Sequence, residues 1–207
     1  VLWIADEVLT GAGRTGTWSA LEPYGVVPDI QVMGKGISGG YAPLASVAAP
    51  RRIVDVLARG PKALSHAQTF SHTPMMCAAG VAAIRYLRKH DLVTRCAEMG
   101  RVLHRKLVAL RGLPCVGDVR GRGLLAGIEF VQDTESRAPF PRADRFVERF
   151  TAAAEGAGLM VWPNTGHADG TNGDLVMLAP PYIITEAEID EIVARFRQAL
   201  AATVASQ

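Results

Sequence analysis

A run of five apolar residues, Val1-Leu2-Trp3-Ile4-Ala5, breaks off at Asp6-Glu7 and leads into a glycine-rich turn, Gly11-Ala12-Gly13-Arg14-Thr15-Gly16. A short continuous apolar run bounded by turn signals suits a strand covered on both faces, as in a parallel α/β sheet, with its polar end opening at the sheet's carboxyl edge. Pro23, Gly25 and Pro28 make residues 10 to 28 loop rather than helix, and a second apolar run follows at Ile30 to Met33.

Helical signals take over downstream. Pro74 after Thr73 marks a start, and Arg85, Arg88, Lys89 and His90 crowd the far end, where cations favour the negative pole of the helix dipole, so a helix is expected over 74 to 90. Apolar residues at three- and four-residue steps predict another from Leu92 to Leu110, and a third is expected from Ala143 to Glu155. Thr185-Glu186-Ala187-Glu188 has the spacing of a capping box and opens a terminal helix striped by Ile189, Ile192, Val193, Phe196 and Leu200. Strands are expected at Gly123 to Val131, Leu159 to Trp162 and Leu175 to Ala179. This order predicts part of a large α/β domain over 1 to 95, then a smaller α+β domain over 96 to 207, with the helix after Leu92 carrying the chain across.

Composition narrows the partners. Twenty-two basic against 20 acidic side chains leave a net charge of +2, too even for the footprint that holds nucleic acid or an anionic membrane, so small molecules are the expected partners. No apolar run approaches the ~20 residues of a membrane span. Cys77, Cys96 and Cys115 contain no C-x-x-C pair and suggest neither disulfide nor zinc. A soluble protein of the reducing cytoplasm is expected.

Lys35 lies between Gly34 and Gly36 just past the second apolar run. Flanking glycines let backbone approach a bulky ligand, and a lysine that forms a Schiff base must be neutral for part of its cycle, a state that burial and a nearby cation promote. By itself the string also describes a solvated loop lysine. Asp6 adds a carboxylate at the end of the neighbouring strand, able to pair with a protonated pyridine nitrogen; at ~4 Å and an effective dielectric near 20 that attraction is worth about 4 kcal/mol before desolvation. Gly11 to Gly16 also spells G-x-G-x-x-G, but Pro23 and Gly25 stand where a dinucleotide fold needs a helix, and position 36 is glycine where an acid is required. That fingerprint is rejected.

Six elements occur in order: Asp6-Glu7-Val8, Gly11-x-Gly13-Arg14-Thr15-Gly16, Pro28-Asp29, Gly34-Lys35-Gly36, Gly39-Gly40-Tyr41-x-Pro43 and Thr69-Phe70-Ser71-His72-Thr73-Pro74. Together they resemble the signature run of class III pyridoxal-phosphate-dependent aminotransferases, and Gly121-Arg122-Gly123 with Ala179-Pro180-Pro181 extends the likeness toward the end of the chain. The resemblance implies a fragment of the fold-type I transferase large domain, with a mostly parallel sheet, followed by a C-terminal α+β small domain. It implies pyridoxal 5'-phosphate as cofactor and Lys35 as the Schiff-base lysine that also shuttles a proton. It implies Asp6 on the pyridine nitrogen, Val8 against a ring face, and Thr69 on the cofactor phosphate of a partner subunit in a homodimer. Arg14 is expected to organise its own loop, and His72 and His167 to be ordinary loop residues.

Family members that act on α-amino acids often place an arginine shortly before the double proline; here that position is Met177. A fixed carboxylate clamp is therefore not expected, and the chain is more similar to the amine and ω-amino-acid group, with the loop Asn164 to Asp174 as a candidate pocket wall. The expected reaction moves an amino group from an amine or ω-amino acid to a keto acid. Alternatives are an aminomutase, racemase or decarboxylating transaminase built on the same site, or a non-catalytic truncated chain or dimer-forming scaffold. The family's phosphate loop and ring-stacking aromatic precede the segment matched here, so this chain alone is expected to be inactive and to bind cofactor poorly.

Overall fold

The computed structural model describes residues 1–60, 66 and 68–205. The chain divides into two units, Val1–Thr94 and Arg95–Gln207.

In the first unit, strands β1 (Ile4–Glu7) and β2 (Ile30–Met33) pair in parallel, and β3 (Ser46–Ala48) adds an antiparallel edge, giving the order β1-β2-β3. The segment from 10 to 28 is loop, as expected, relieved by one 3-10 turn at Glu22–Tyr24. No helix follows Gly16, in keeping with the rejected dinucleotide motif. Helix α1 (Arg51–Arg59) has no counterpart in the sequence reading; two arginines in its first turn oppose the dipole, so it lacks a start signal. Helix α2 (Pro74–Lys89) begins on the proline and ends in Arg88 and Lys89, as anticipated. Its Gly80 lies against Leu44 so closely that a Cβ there would collide with that side chain and come within 3.6 Å of the Ile37 carbonyl oxygen. The close approach seats α2 on the short 3-10 turn Lys35–Ser38.

Helix α3 (Leu92–Val108) starts in the last residues of the first unit, and the remaining elements belong to the second. Strands β4 (Val116–Arg122), β5 (Leu125–Phe130), β6 (Trp162–Asn164) and β7 (Asp174–Leu178) form an antiparallel sheet in the order β4-β5-β7-β6. The strand expected over 123 to 131 is present as β5, with an unforeseen partner, and two other expectations need correction. The single strand over 123 to 131 is the second arm of a hairpin whose first arm, β4, carries an irregular register at Val116/Asp118. The strand placed at 159 to 162 pairs only from Trp162 onward, as an edge strand whose Pro163 has no N–H to offer a further neighbour. The helix expected from Ala143 begins at Phe146 instead, because residues 142–144 form a 3-10 turn and Arg145 takes φ +48°; it is α4 (Phe146–Gly156).

Alternation along β5 buries Ala126, Ile128 and Phe130, which meet Leu103 and Leu107 of α3, Phe146 and Phe150 of α4, and Phe196 of α5 (Glu186–Ala205) in one core. Phe130 lies 4.7 Å from Phe150, and Phe150 lies 4.8 Å from Phe196, centroid to centroid. Burying such aromatics contributes more than their area alone, by about 1 kcal/mol per pair. The capping box forms as read: Thr185 N–H donates to Glu188 Oε2 at 2.7 Å, and Glu188 N–H donates to Thr185 Oγ1 at 3.3 Å.

Candidate active site

Strand alternation separates the two neighbouring acids of β1. Ala5 and Glu7 are buried, while Ile4 and Asp6 face outward. Because β1 and β2 run in parallel with Asp6 opposite Val32, the chain leaves both strands at the same edge, and Lys35 stands three residues beyond the register partner of Asp6. The backbone N–H of Val8 donates to Asp6 Oδ1 at 3.0 Å, which orients the carboxylate at that edge. Val8 then turns its methyls toward Gly34, where a Cβ would lie 3.4 Å from Val8 Cγ1. Asp6, Val8 and the Lys35 turn thus share one sheet edge.

Lys35 opens its 3-10 turn with φ +42°, in the left-handed region that a side chain occupies only at a cost. The turn is held from below by buried Ile37 and by the hydroxyl of buried Ser38, which donates to the Ala42 carbonyl at 2.6 Å. The lysine itself is exposed. Strained residues supported by their surroundings cluster at functional positions, and here the strain falls on the one amine of the edge.

Thr69 lies in an exposed turn ahead of α2. Thr73 Oγ1 donates to the Phe70 carbonyl at 2.7 Å and does not cap the helix, so the first-turn N–H groups of α2 have no side-chain cap from the N-cap residue. Arg14 is half-buried within the glycine-rich loop, with its N–H on the Gly11 carbonyl. His72 is an exposed turn residue, and His167 is exposed in its loop with its N–H on the Gly173 carbonyl. Met177 occupies β7 on the face opposite the core residues Val176 and Leu178, between Gly127 and Trp162. No group of His, Cys, Asp and Glu with metal-binding geometry occurs among the described residues.

Sequence reasoning passed over Glu7 and Ser38 as organisers of this edge. The signal for Glu7 was present in the alternation, since a residue flanked by outward-facing Asp6 must point into the layer. The partners that make such burial tolerable come from far along the chain and were not legible.

A model of the class III aminotransferase family matches residues 1–200. Among curated proteins, the uncharacterized aminotransferase YodT of Bacillus subtilis is 38% identical over 98% of this chain and 46% of its own length. An uncharacterized aminotransferase of Schizosaccharomyces pombe is 40% identical over 100% of this chain and 45% of its own. The crystal structure of an (S)-enantioselective omega-transaminase from Thermomicrobium roseum superposes with a TM-score of 0.89 at 34% identity, covering 99% of this chain and 44% of that one. The chain therefore spans about half the length of the relatives it matches. By sequence across nearly its whole length, and by fold, the chain belongs to the class III aminotransferase family.

Proposed function

We propose that this chain supplies the lysine and the ring-binding carboxylate of a transaminase that moves an amino group from an amine or ω-amino acid to a keto acid. Class III aminotransferases are pyridoxal-phosphate-dependent. In this reading residues 1–95 are part of the large cofactor-binding domain and 96–207 the small domain. The observation that carries it is the common edge of the parallel pair β1 and β2, from which Asp6, Val8 and Lys35 all emerge.

The residues present fit that cofactor. A primary amine, an oriented carboxylate and a branched apolar side chain stand together, and a threonine hydroxyl precedes a helix start of the kind that binds phosphate. With the cofactor bound, Lys35 would hold it as the Schiff-base lysine and move the proton during transfer, Asp6 would pair with the pyridine nitrogen, Val8 would pack against the ring, and Thr69 would bind the cofactor phosphate of a partner subunit. When bound, the cofactor supplies the electron sink that makes the carbon next to the amino group acidic. Everything else required of this chain is positioning: a charge held in place by the Val8 amide and an amine presented from a braced turn.

Two further features support the finer reading. Met177 in place of a basic residue leaves β7 without a carboxylate clamp, which suits amine and ω-amino-acid donors. Tyr41 is 91% exposed, Phe70 84% and Met75 70%, flanking the Lys35 and Thr69 turns with apolar surface that a second subunit would cover in a homodimer. None of Cys77, Cys96 and Cys115 forms a disulfide among the described residues. No helix among the described residues is long and apolar enough to cross a membrane.

Reductive trapping tests the assignment. The chain is offered pyridoxal phosphate, reduced with borohydride and mapped by peptide mass. Preferential labelling of Lys35 over Lys89 and Lys106, at whatever occupancy is reached, is the expected result; equal labelling of the three overturns it.

A further inference from the structure

Glu7 is 3% exposed, deep in the layer beneath the proposed cofactor edge, and its carboxylate gathers three donors from two different parts of the chain. Oε1 accepts the Ser19 hydroxyl and, at 3.2 Å, the side-chain amide of Gln31 on β2; Oε2 accepts the backbone N–H of Ala20 at 2.8 Å. The backbone carbonyl of Glu7 also accepts the Gly11 N–H at 3.0 Å. A Cβ on Gly11 would lie 2.9 Å from that carbonyl oxygen and 3.2 Å from Oε2, so only glycine fits against this residue. Between these anchors the chain leaves the strand at Val8, folds through the glycine-rich turn, closes on itself where the Ala12 N–H meets the Trp18 carbonyl at 3.0 Å, and returns to the same side chain. One buried acid therefore clasps both ends of a loop.

We infer that Glu7 is a positioning residue: its carboxylate closes the loop from Val8 to Ser19 and so fixes the Val8 amide that orients Asp6. The link is short. Val8 is the first residue of the clasped loop, its N–H is the donor to Asp6 Oδ1, and its methyls lie against Gly34 beside Lys35. With the far end of the loop released, Val8 and its amide keep only the Gly11 N–H on the Glu7 carbonyl, the Ala12–Trp18 backbone bond and the packing on Gly34, and are held less firmly beside the acid they steer. The two adjacent acids thus divide the work: Asp6 meets the ligand, and Glu7 never touches it. This role rests on the cofactor reading for its purpose but not for its geometry.

Hydrogen exchange on the chain without cofactor, with Glu7→Ala and Glu7→Gln, tests the clasp. A glutamine keeps one oxygen for the Ala20 N–H and turns its amide toward the Ser19 hydroxyl, while Gln31 can rotate to present its carbonyl. In Glu7→Ala, exchange at the Val8, Gly11, Ala12 and Ala20 amides is expected to speed up about tenfold or more, with amides of β2 and of the second unit unchanged, and Glu7→Gln restores most of the protection. Lys35 labelling by pyridoxal phosphate falls to parity with Lys89 and Lys106 in Glu7→Ala and is kept in Glu7→Gln. A chain that shows no Lys35 preference before substitution counts against the cofactor reading and leaves exchange to judge Glu7. Unchanged exchange at those four amides in Glu7→Ala, or acceleration spread evenly over β2 as well, overturns the positioning role.

Discussion

The Val8 amide N–H donates to Asp6 Oδ1 at 3.0 Å, so the orientation of the one outward-facing carboxylate of β1 is set by the backbone two residues on. An asparagine at position 6 can accept the same hydrogen bond with its amide oxygen but carries no charge. Asp6→Asn therefore separates the electrostatic role from the structural one. If half of an attraction of about 4 kcal/mol survives desolvation, Lys35 trapping by pyridoxal phosphate drops on the order of thirtyfold while the thermal midpoint stays put. Undiminished trapping in a folded Asp6→Asn chain argues that the carboxylate does not meet the ring.

Lys35 at φ +42° occupies backbone space where a side chain costs roughly 1 to 2 kcal/mol and glycine costs nothing. Lys35→Gly should abolish labelling at this position and, by relieving the strain, raise the stability of the chain by about 1 kcal/mol, less the greater freedom glycine has when unfolded. The denaturant midpoint reads this directly. A lower midpoint would mean that the lysine's contacts outweigh its strain, and that the turn is not a stability sacrifice made for an amine.

How much of this was legible beforehand depends on whether a signal was local. Pro74, the Thr185 to Glu188 box and the stripe along α5 are properties of neighbouring residues, and the helices appear where those signals put them. The hairpin arm β4 hid because Gly117, Gly121 and alternating Asp118, Arg120 and Arg122 read as turn and charge, while its hydrogen-bonding partner lies in β5. Apolar Leu159 to Trp162 read as strand, yet Leu159 and Val161 pack without pairing, Met160 is exposed, and the ladder takes in Trp162, Pro163 and Asn164. At the site, Asp6 and Lys35 gained meaning from the order of the family motifs. Their common edge is a product of parallel pairing between strands separated by the 22 residues from Val8 to Asp29, which no short window of sequence contains.

The Gly121-Arg122-Gly123 motif serves packing in the second unit. A Cβ at Gly100 of α3 would lie 2.5 Å from the Gly123 backbone, and the same helix sends His104 Nε2 to within 3.0 Å of the Gly123 carbonyl. Alanine normally favours a helix over glycine by about 1 kcal/mol, but here backbone must move to admit the methyl. Gly100→Ala is expected to destabilise the chain by about 2 kcal/mol net, visible as a lower denaturant midpoint with an unchanged slope. A neutral or stabilising result would show that α3 and the hairpin turn can separate freely.

Asp174 opens β7 with 1% exposure, donates nothing as a carboxylate, and accepts the Val147 N–H at the start of α4 through Oδ2 at 3.1 Å. Its Oδ1 is buried without a hydrogen-bond partner among the described residues. Burial holds this carboxyl above its ordinary value of 3.8; the Val147 N–H and Arg142 pull the other way, and the nearby carboxylates of Glu148 and Asp144 add to the upward push. A folded-state value raised above the unfolded one means that the native state binds this proton more tightly. The group's contribution to stability is then fully present below about 3.8 and is lost as pH rises through the folded value, leaving a penalty at neutral pH. Asp174→Asn keeps an oxygen for the Val147 N–H and removes the charge. The variant should match the unsubstituted chain near pH 3 and gain on it as pH climbs to 7. Equilibrium unfolding at a series of pH values measures the difference. A gap that stays constant with pH would show that Asp174 does not titrate differently in the folded and unfolded states, and a gap that widens toward low pH would reverse the sign argued here.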